Sequence, residues 1–457
     1  MIPINSTQSA LEALDHEDAG VRYHGAWWLG KHRTVEAIPK LVECLKDKRE
    51  VTCTGGYPLR RQAARSLGMI RNPICVPDLI RTLETDDAKL HEATLRALIE
   101  IKDNRCIKSL IYYLDKNIND KPIEALIEAL AAHKAWEASD KVRPYLDSDC
   151  ERITSSAASF FFVCTGDITY LNTIISFLDH DNRFVRQSAA FDLARIAHKR
   201  ATAPIINANI PNNIKLFAIK SILQESIKAS DSPHENASNK LDGLHQELFK
   251  QLDNLVRENF SGNLLDNQSL VAAQNHIHST PSPTKNTPTE AFEKLKSPSL
   301  TTRQSGIKQL VQTSVNQQET LLSLYFSETD QDIKMGIIKA MAELKQAIFL
   351  PAFLDAIGVE IGNHCQGNIR RVAACAIGEI DWQLEFNTNS MAKTIEKLDW
   401  ALLNPEDWGL RYSACLALKS INTGLAMEVL HKAKAKEKDP VVSTRIAMAL
   451  STPDVEL

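Results

Sequence analysis

The chain has little of what most enzymes display. Aromatic residues make up 6% of its 457 positions. Its nine cysteines are scattered and form no C-x-x-C pair, which argues against a disulfide framework or a structural zinc site and fits a reducing, cytoplasmic compartment. Neither sign of charge dominates. Lys and Arg number 53 against 57 Asp and Glu, for a net charge of -4, and no large basic block stands out, so there is no footprint for nucleic acid. No apolar run reaches the roughly 18 residues that a membrane span needs. Residues Met1 to Asn5 carry neither a charged nor an apolar leader region, so no secretory signal is expected. The sequence contains no GxGxxG, P-loop, HExxH or GxSxG arrangement, and no metal site is predicted.

What the chain does have is repetition. A branched apolar residue, often followed by Arg, then by small residues and further apolar positions, recurs at Val21, Leu59, Leu90, Ile123, Ile153, Val185 and Ile214. The pattern resumes at Thr302, Ile333, Ile369, Leu410 and Val442, with most spacings near 31 residues and longer ones from 21 to 59, 333 to 369 and 369 to 410. Each anchor opens an amphipathic helix and a second apolar stretch usually follows. Two short helices per unit at this period predict an all-α, HEAT-like solenoid of helical hairpins. One such hairpin cannot bury its apolar stripe alone. Stacked copies can, and small residues such as Ala63-Ala64, Ala189-Ala190 and Ala373-Ala374 let the helices approach closely. A Pro-, Ser- and Thr-rich stretch from His276 to Ser299 interrupts the array. The predicted organisation is a repeat half over residues 1–230, a flexible tether over 231–297 with a possible isolated helix, and a second repeat half over 298–457.

Two long loops hold the candidate chemistry. Residues 53–61 include Gly55-Gly56-Tyr57 and run into Arg60-Arg61. Residues 363–371 include Asn363-His364-Cys365-Gln366-Gly367-Asn368 and run into Arg370-Arg371. An imidazole beside a thiol can exchange protons near neutral pH or activate sulfur. Alternatively, His364 caps a helix and Cys365 is a small buried hydrophobe. Arginine at a helix start suits a carboxylate. Arg22, Arg60 and Arg411 occupy the repeat position and are expected to tie down the preceding repeat. Arg61 and Arg371 fall one residue later and are the better ligand candidates. Trp27 and Trp28 lie about 100° apart on a helix, which assigns one to the core and leaves the other for a ligand. Trp28, Tyr57 and Trp408 are candidate flat walls for a conjugated ring system.

Tyr23-His-Gly-Ala-Trp-Trp-Leu-Gly-Lys31 and Gly55-Gly-Tyr-Pro-Leu-Arg-Arg61 resemble signature segments of E-type subunits of the phycobilin lyases. The hexapeptide Asn363–Asn368 resembles the motif of the F-type subunit of the isomerising members. The layout is similar to a fused E-type plus F-type lyase-isomerase, E-like before the tether and F-like after it. The resemblance implies phycoerythrobilin, a linear tetrapyrrole with two propionates, as substrate. It implies a cysteine of a phycocyanin-like phycobiliprotein α subunit as acceptor and phycourobilin as product. No cofactor, nucleic acid or membrane insertion is implied. His364 and Cys365 would move the protons of the isomerisation, with Cys365 either the acid–base partner of His364 or a transient thioether to the pigment. Asn363, Gln366 and Asn368 would bind the lactam groups or fix the loop. Arg61 and Arg371 would meet the propionates, walled by Tyr57, Trp28 and Trp408. The alternatives are a lyase without isomerisation and a chaperone for bilin or apoprotein.

Overall fold

The structure, a computed structural model, describes residues 4–53, 55–230, 243–258, 288–297, 299–315, 317–358, 366–380, 382, 388–404 and 407–451. Among the described residues every regular element is helical, and the hairpins stack as a HEAT-like solenoid. The chain divides into two compact units, Met1–Ile196 and Ala197–Leu457.

In the first unit successive hairpins are α1 (Thr7–Ala13) with α2 (Ala19–Lys31), α3 (Ile38–Cys44) with α4 (Pro58–Ile70), and α5 (Val76–Thr82) with α6 (Ala88–Ile101). They continue with α7 (Ile107–Asp115) and α8 (Ile123–Ala132), α9 (Ser139–Val142) and α10 (Glu151–Thr165), and α11 (Ile168–Ser176) and α12 (Arg183–Ile196). The even-numbered helices pack on one another in a row, and the odd-numbered ones form a second layer. Leu29, Leu67, Leu95, Leu98 and Leu126 are buried between the layers.

Side-chain caps fix where two helices of the row, α2 and α6, begin. Asp18 and Asp87 accept the N–H groups of Val21 and Leu90, each at 3.0 Å, satisfying donors that a helix start leaves open. Small residues then set the spacing. A Cβ on Gly68 would lie 2.8 Å from Ala97 Cα, so α4 and α6 touch backbone to backbone. Gly378 meets Ala417 Cα in the same way in the second unit, again at 2.8 Å.

The repeat-position arginines hold the loops. Arg22 Nη1 donates to the carbonyls of His16 and Glu17 at 2.8 and 2.5 Å. Arg186 Nη1 repeats the contact on His180 and Asp181 at 2.6 and 2.8 Å. In the second unit Arg303 reaches Ser297 O at 2.7 Å and Arg411 reaches Asn404 O at 2.9 Å. Arg60 Nε donates to Leu45 O at 2.6 Å.

The second unit opens with α13 (Thr202–Asn207) and the long α14 (Asn212–Ser230), against which α15 (Gly243–Glu258) packs. Of the segment 231–297, residues 231–242 and 259–287 lie outside the described residues. The α15 helix buries Leu248, Phe249, Leu252 and Leu255. Its Asp253 accepts from Tyr412 Oη at 2.5 Å and from Arg445 Nη2 at 2.9 Å, so it is bound into this unit.

Replacing Gly68 by Val would force α4 and α6 apart. A loss of about 1–3 kcal/mol is expected from such overpacking, read as a lower thermal midpoint of the full chain. An unchanged midpoint would contradict the close contact.

Candidate functional site

The loop before α4 is closed by its own backbone. Thr52 N donates to Gly56 O at 3.0 Å, and Gly55 N donates to Thr52 O at 2.8 Å. Gly55 and Gly56 have φ of 76° and 80° in succession, a left-handed pair for which glycine has no steric penalty. Tyr57 then takes the position before the helix, and Pro58 begins it, with a pyrrolidine ring preset for a first turn. Arg60 is buried with its guanidinium 5.2 Å from the Tyr57 ring centroid. Arg61, one residue on, is half-buried; its backbone N–H donates to Tyr57 O at 3.3 Å, and its side chain has no ion-pair or hydrogen-bond partner among the described residues. Trp28 packs against the core and stacks on His32 at 3.9 Å between ring centroids. Its neighbour Trp27 is half-buried, with Lys31 Nζ 5.1 Å from its ring.

Beside this loop lies a cleft of about 590 Å³. Its walls are the loops before α4, α6, α8 and α10 and the first turns of the last three, including Gly55, Asp87, Lys89, Lys121, Cys150 and Arg152. Such a volume suits a small organic ligand. The sequence reading reached only the Gly55–Gly56 edge of it. The other walls come from three further repeats, and one signal marks them. Gly56, Asp87, Asp120 and Cys150 all stand three residues before an anchor, namely Leu59, Leu90, Ile123 and Ile153.

Next to the cleft, α8, α10 and α12 share a buried charged cluster. Asp192 is fully buried and accepts from Ser155 Oγ and from Arg195. Arg195 Nη1 also pairs with Glu128 at 2.5 Å. Burial pushes the Asp192 carboxyl up to about 6, although Arg195 pulls the other way.

In the second unit the structure brings Arg371 and Trp408 together. Arg371 Nε donates to both carboxylate oxygens of Asp407 at 2.9 Å, and Nη2 reaches Oδ1 at 2.8 Å. Asp407 also caps the following helix, Trp408–Ile421, through Leu410 N at 3.0 Å. Gly409 makes room for the guanidinium, since a Cβ there would sit 2.8 Å from Arg371 Nε. Lys220 Nζ lies 4.9 Å from the Trp408 ring centroid. Behind it Tyr412 is fully buried, and its hydroxyl is pushed well above the usual phenol range by that burial and by the Asp253 charge. Asn363, His364 and Cys365 lie outside the described residues. Gln366 opens the helix Gln366–Glu379, and Asn368 lies in its first turn.

A family model described as HEAT repeats matches residues 57–131, and one described as PBS lyase HEAT-like repeat matches residues 21–47. The bilin biosynthesis protein PecE of Nostoc sp. is 41% identical over 251 residues, covering 55% of this chain and 98% of that protein. The bilin biosynthesis protein PecF of Nostoc sp. is 40% identical over 149 residues, covering 33% of this chain and 86% of that protein. The phycocyanobilin lyase subunit alpha of Nostoc sp. is 33% identical over 243 residues, covering 50% of this chain and 88% of that protein. Among solved structures, the complex of CpcE and CpcF of phycocyanin lyase from Nostoc sp. is 30% identical, covers 55% of this chain and 96% of that one, and gives a TM-score of 0.49.

The Asp192 cluster carries a pH signature. Its folded-state value of about 6 lies above the ordinary 3.8. Its contribution to stability is therefore full below about pH 4 and is lost as pH rises through about 6. Denaturant midpoints measured across that window should show the fall in the wild type and not in Asp192→Asn. The same slope in both proteins would contradict the assignment.

Proposed function

The chain belongs to the family of E/F-type phycobilin lyases, and we propose that it joins both subunit types in one polypeptide as a lyase-isomerase that makes phycourobilin. It is a bilin lyase, an enzyme that attaches a linear tetrapyrrole to a phycobiliprotein subunit. The observation that supports the fused reading is the pair of alignments, to nearly the whole of PecE and to most of PecF. The hexapeptide Asn363–Asn368 supports isomerisation. The proposed pigment is phycoerythrobilin, and the proposed acceptor is a cysteine of a phycocyanin-like α subunit.

The chemistry has two parts. The acceptor thiol adds to the ethylidene of ring A, forming a thioether. A double bond then moves from the bridge between rings A and B into ring A. The bridge carbon gains a proton and a ring-A carbon loses one, so conjugation shortens and absorption moves to the blue. Proton transfer alone suffices, with no redox step. His364 and Cys365 are assigned to those protons, Cys365 either as acid–base partner or as a transient thioether. Arg61, with no ion-pair partner among the described residues, suits a propionate. Arg371 would have to exchange Asp407 for a propionate, a carboxylate for a carboxylate. Tyr57, Trp28 and Trp408 offer flat apolar area, and Asn363, Gln366 and Asn368 supply amides for the lactams.

Co-expression with a phycoerythrobilin source and the α subunit tests the reading. The wild type should give covalent, zinc-fluorescent pigment on the acceptor with blue-shifted absorption. His364→Ala with Cys365→Ser should keep attachment and lose the blue shift. Phycourobilin from the double variant would overturn the isomerase assignment. Pigment without the blue shift from the wild type would mark a plain lyase, and no covalent pigment a chaperone.

A further inference from the structure

The two compact units part at residues 196 and 197, well ahead of the Pro-, Ser- and Thr-rich tether. The second unit therefore takes helices from both sides of that tether. Before it come α13, α14 and α15, and among the described residues the others begin at Pro288.

Apolar burial joins the two sets. α14 packs on α15 and on the last helix, Pro440–Ser451. Ile219, Ile222 and Leu223 of α14 and Leu248, Phe249 and Leu252 of α15 are fully buried. A lone helix of the 16 residues in α15 is marginal in water, so α15 owes its order to this packing.

Ion pairs then fix the register. Lys220 of α14 pairs with Asp439 at 2.8 Å, and both side chains are 15% exposed. Asp439 in turn accepts from Val441 N and Val442 N at 3.0 and 3.3 Å, capping the last helix. Asp253 of α15 accepts from Arg445 of that helix, from Nε at 3.2 Å and Nη2 at 2.9 Å, and from Tyr412 Oη at 2.5 Å. Arg257 Nε stands 3.4 Å from Glu379. Each of these contacts joins residues on opposite sides of the tether. α14 presents a cation to an acid of the last helix, and α15 presents an acid to its cation, so a shifted docking would set like charges together. Both pairs are mostly buried, and removing one partner leaves a charge with little water to solvate it.

We propose that α14 and α15 form a docking arm for the helices Trp408–Ile421 and Pro440–Ser451, and that this fit holds the two sides of the tether together without the tether. The inference is independent of the bilin-lyase reading. It also bears on the candidate site. Lys220 Nζ lies 4.9 Å from the Trp408 ring centroid, so a residue from before the tether helps to shape a candidate wall that comes after it.

The test uses the full chain with a recognition sequence for a site-specific protease placed within residues 259–287, so that the tether is cut after folding. The two pieces are expected to run as one particle in gel filtration. Lys220→Glu with Asp253→Lys turns both attractions into repulsions and should raise the dissociation constant of the cut pieces at least about tenfold. Lys141→Glu, on the surface of the first unit, should leave it unchanged. A carbodiimide joins an amine to a carboxylate only at contact distance, and it should link Lys220 to Asp439 across the cut in the wild type. That measurement needs no substitution, so misfolding of a variant cannot hide the answer. Pieces that part once the tether is cut overturn the proposal. Pieces that stay together without the Lys220–Asp439 link, and that ignore the double substitution, overturn it too, because another surface then holds them.

Discussion

Two helices can touch backbone to backbone only where side chains are missing or minimal, and this contact orders the rest of the first unit. Gly68 against Ala97 brings α4 and α6 to that distance. With the helix row so fixed, the loops that precede its members fall into line along one edge. The cleft is a consequence of that alignment, since its walls are four such loops and the turns they open. The arginines at the repeat position then hold the loops by donating to their carbonyls. Function on such a scaffold comes from what the loops carry, since the fold itself hosts many.

The repeat period, the hairpins and the small residues were legible because they are local and recur. So was the work of Arg22, Arg60 and Arg411, because an arginine repeated at the same register answers to the repeat rather than to a ligand. Contacts between distant segments were not legible. Asp253 meets Tyr412 and Arg445 across more than 150 residues, and no periodic signal links them. Arg371 was read as a ligand for a carboxylate. The structure gives it one from the next repeat, Asp407, which a reading of single loops could not supply. The cleft was half legible. Attention to one of the long loops found its Gly55–Gly56 edge, whereas the other walls sit in loops of ordinary length and emerge only when one column is compared across repeats.

That column joins capping to chemistry. Aspartate in it caps a helix, glycine in it permits a turn at positive φ, and cysteine in it leaves a thiol at the cleft with no capping role. The repeat therefore keeps its helices while the residue at one register position varies. On the proposed reading Arg61 and Tyr57 of the loop before α4 meet the pigment, and the loop around His364 and Cys365 acts on the double bonds.

The most direct measurement is hydrogen–deuterium exchange of the full chain with and without phycoerythrobilin, which reads the opening of individual loops. The account predicts slower exchange in the loop before α4, and unchanged exchange at the Gly166 turn between α10 and α11. Unchanged exchange in that loop, with protection arising only elsewhere, would contradict it.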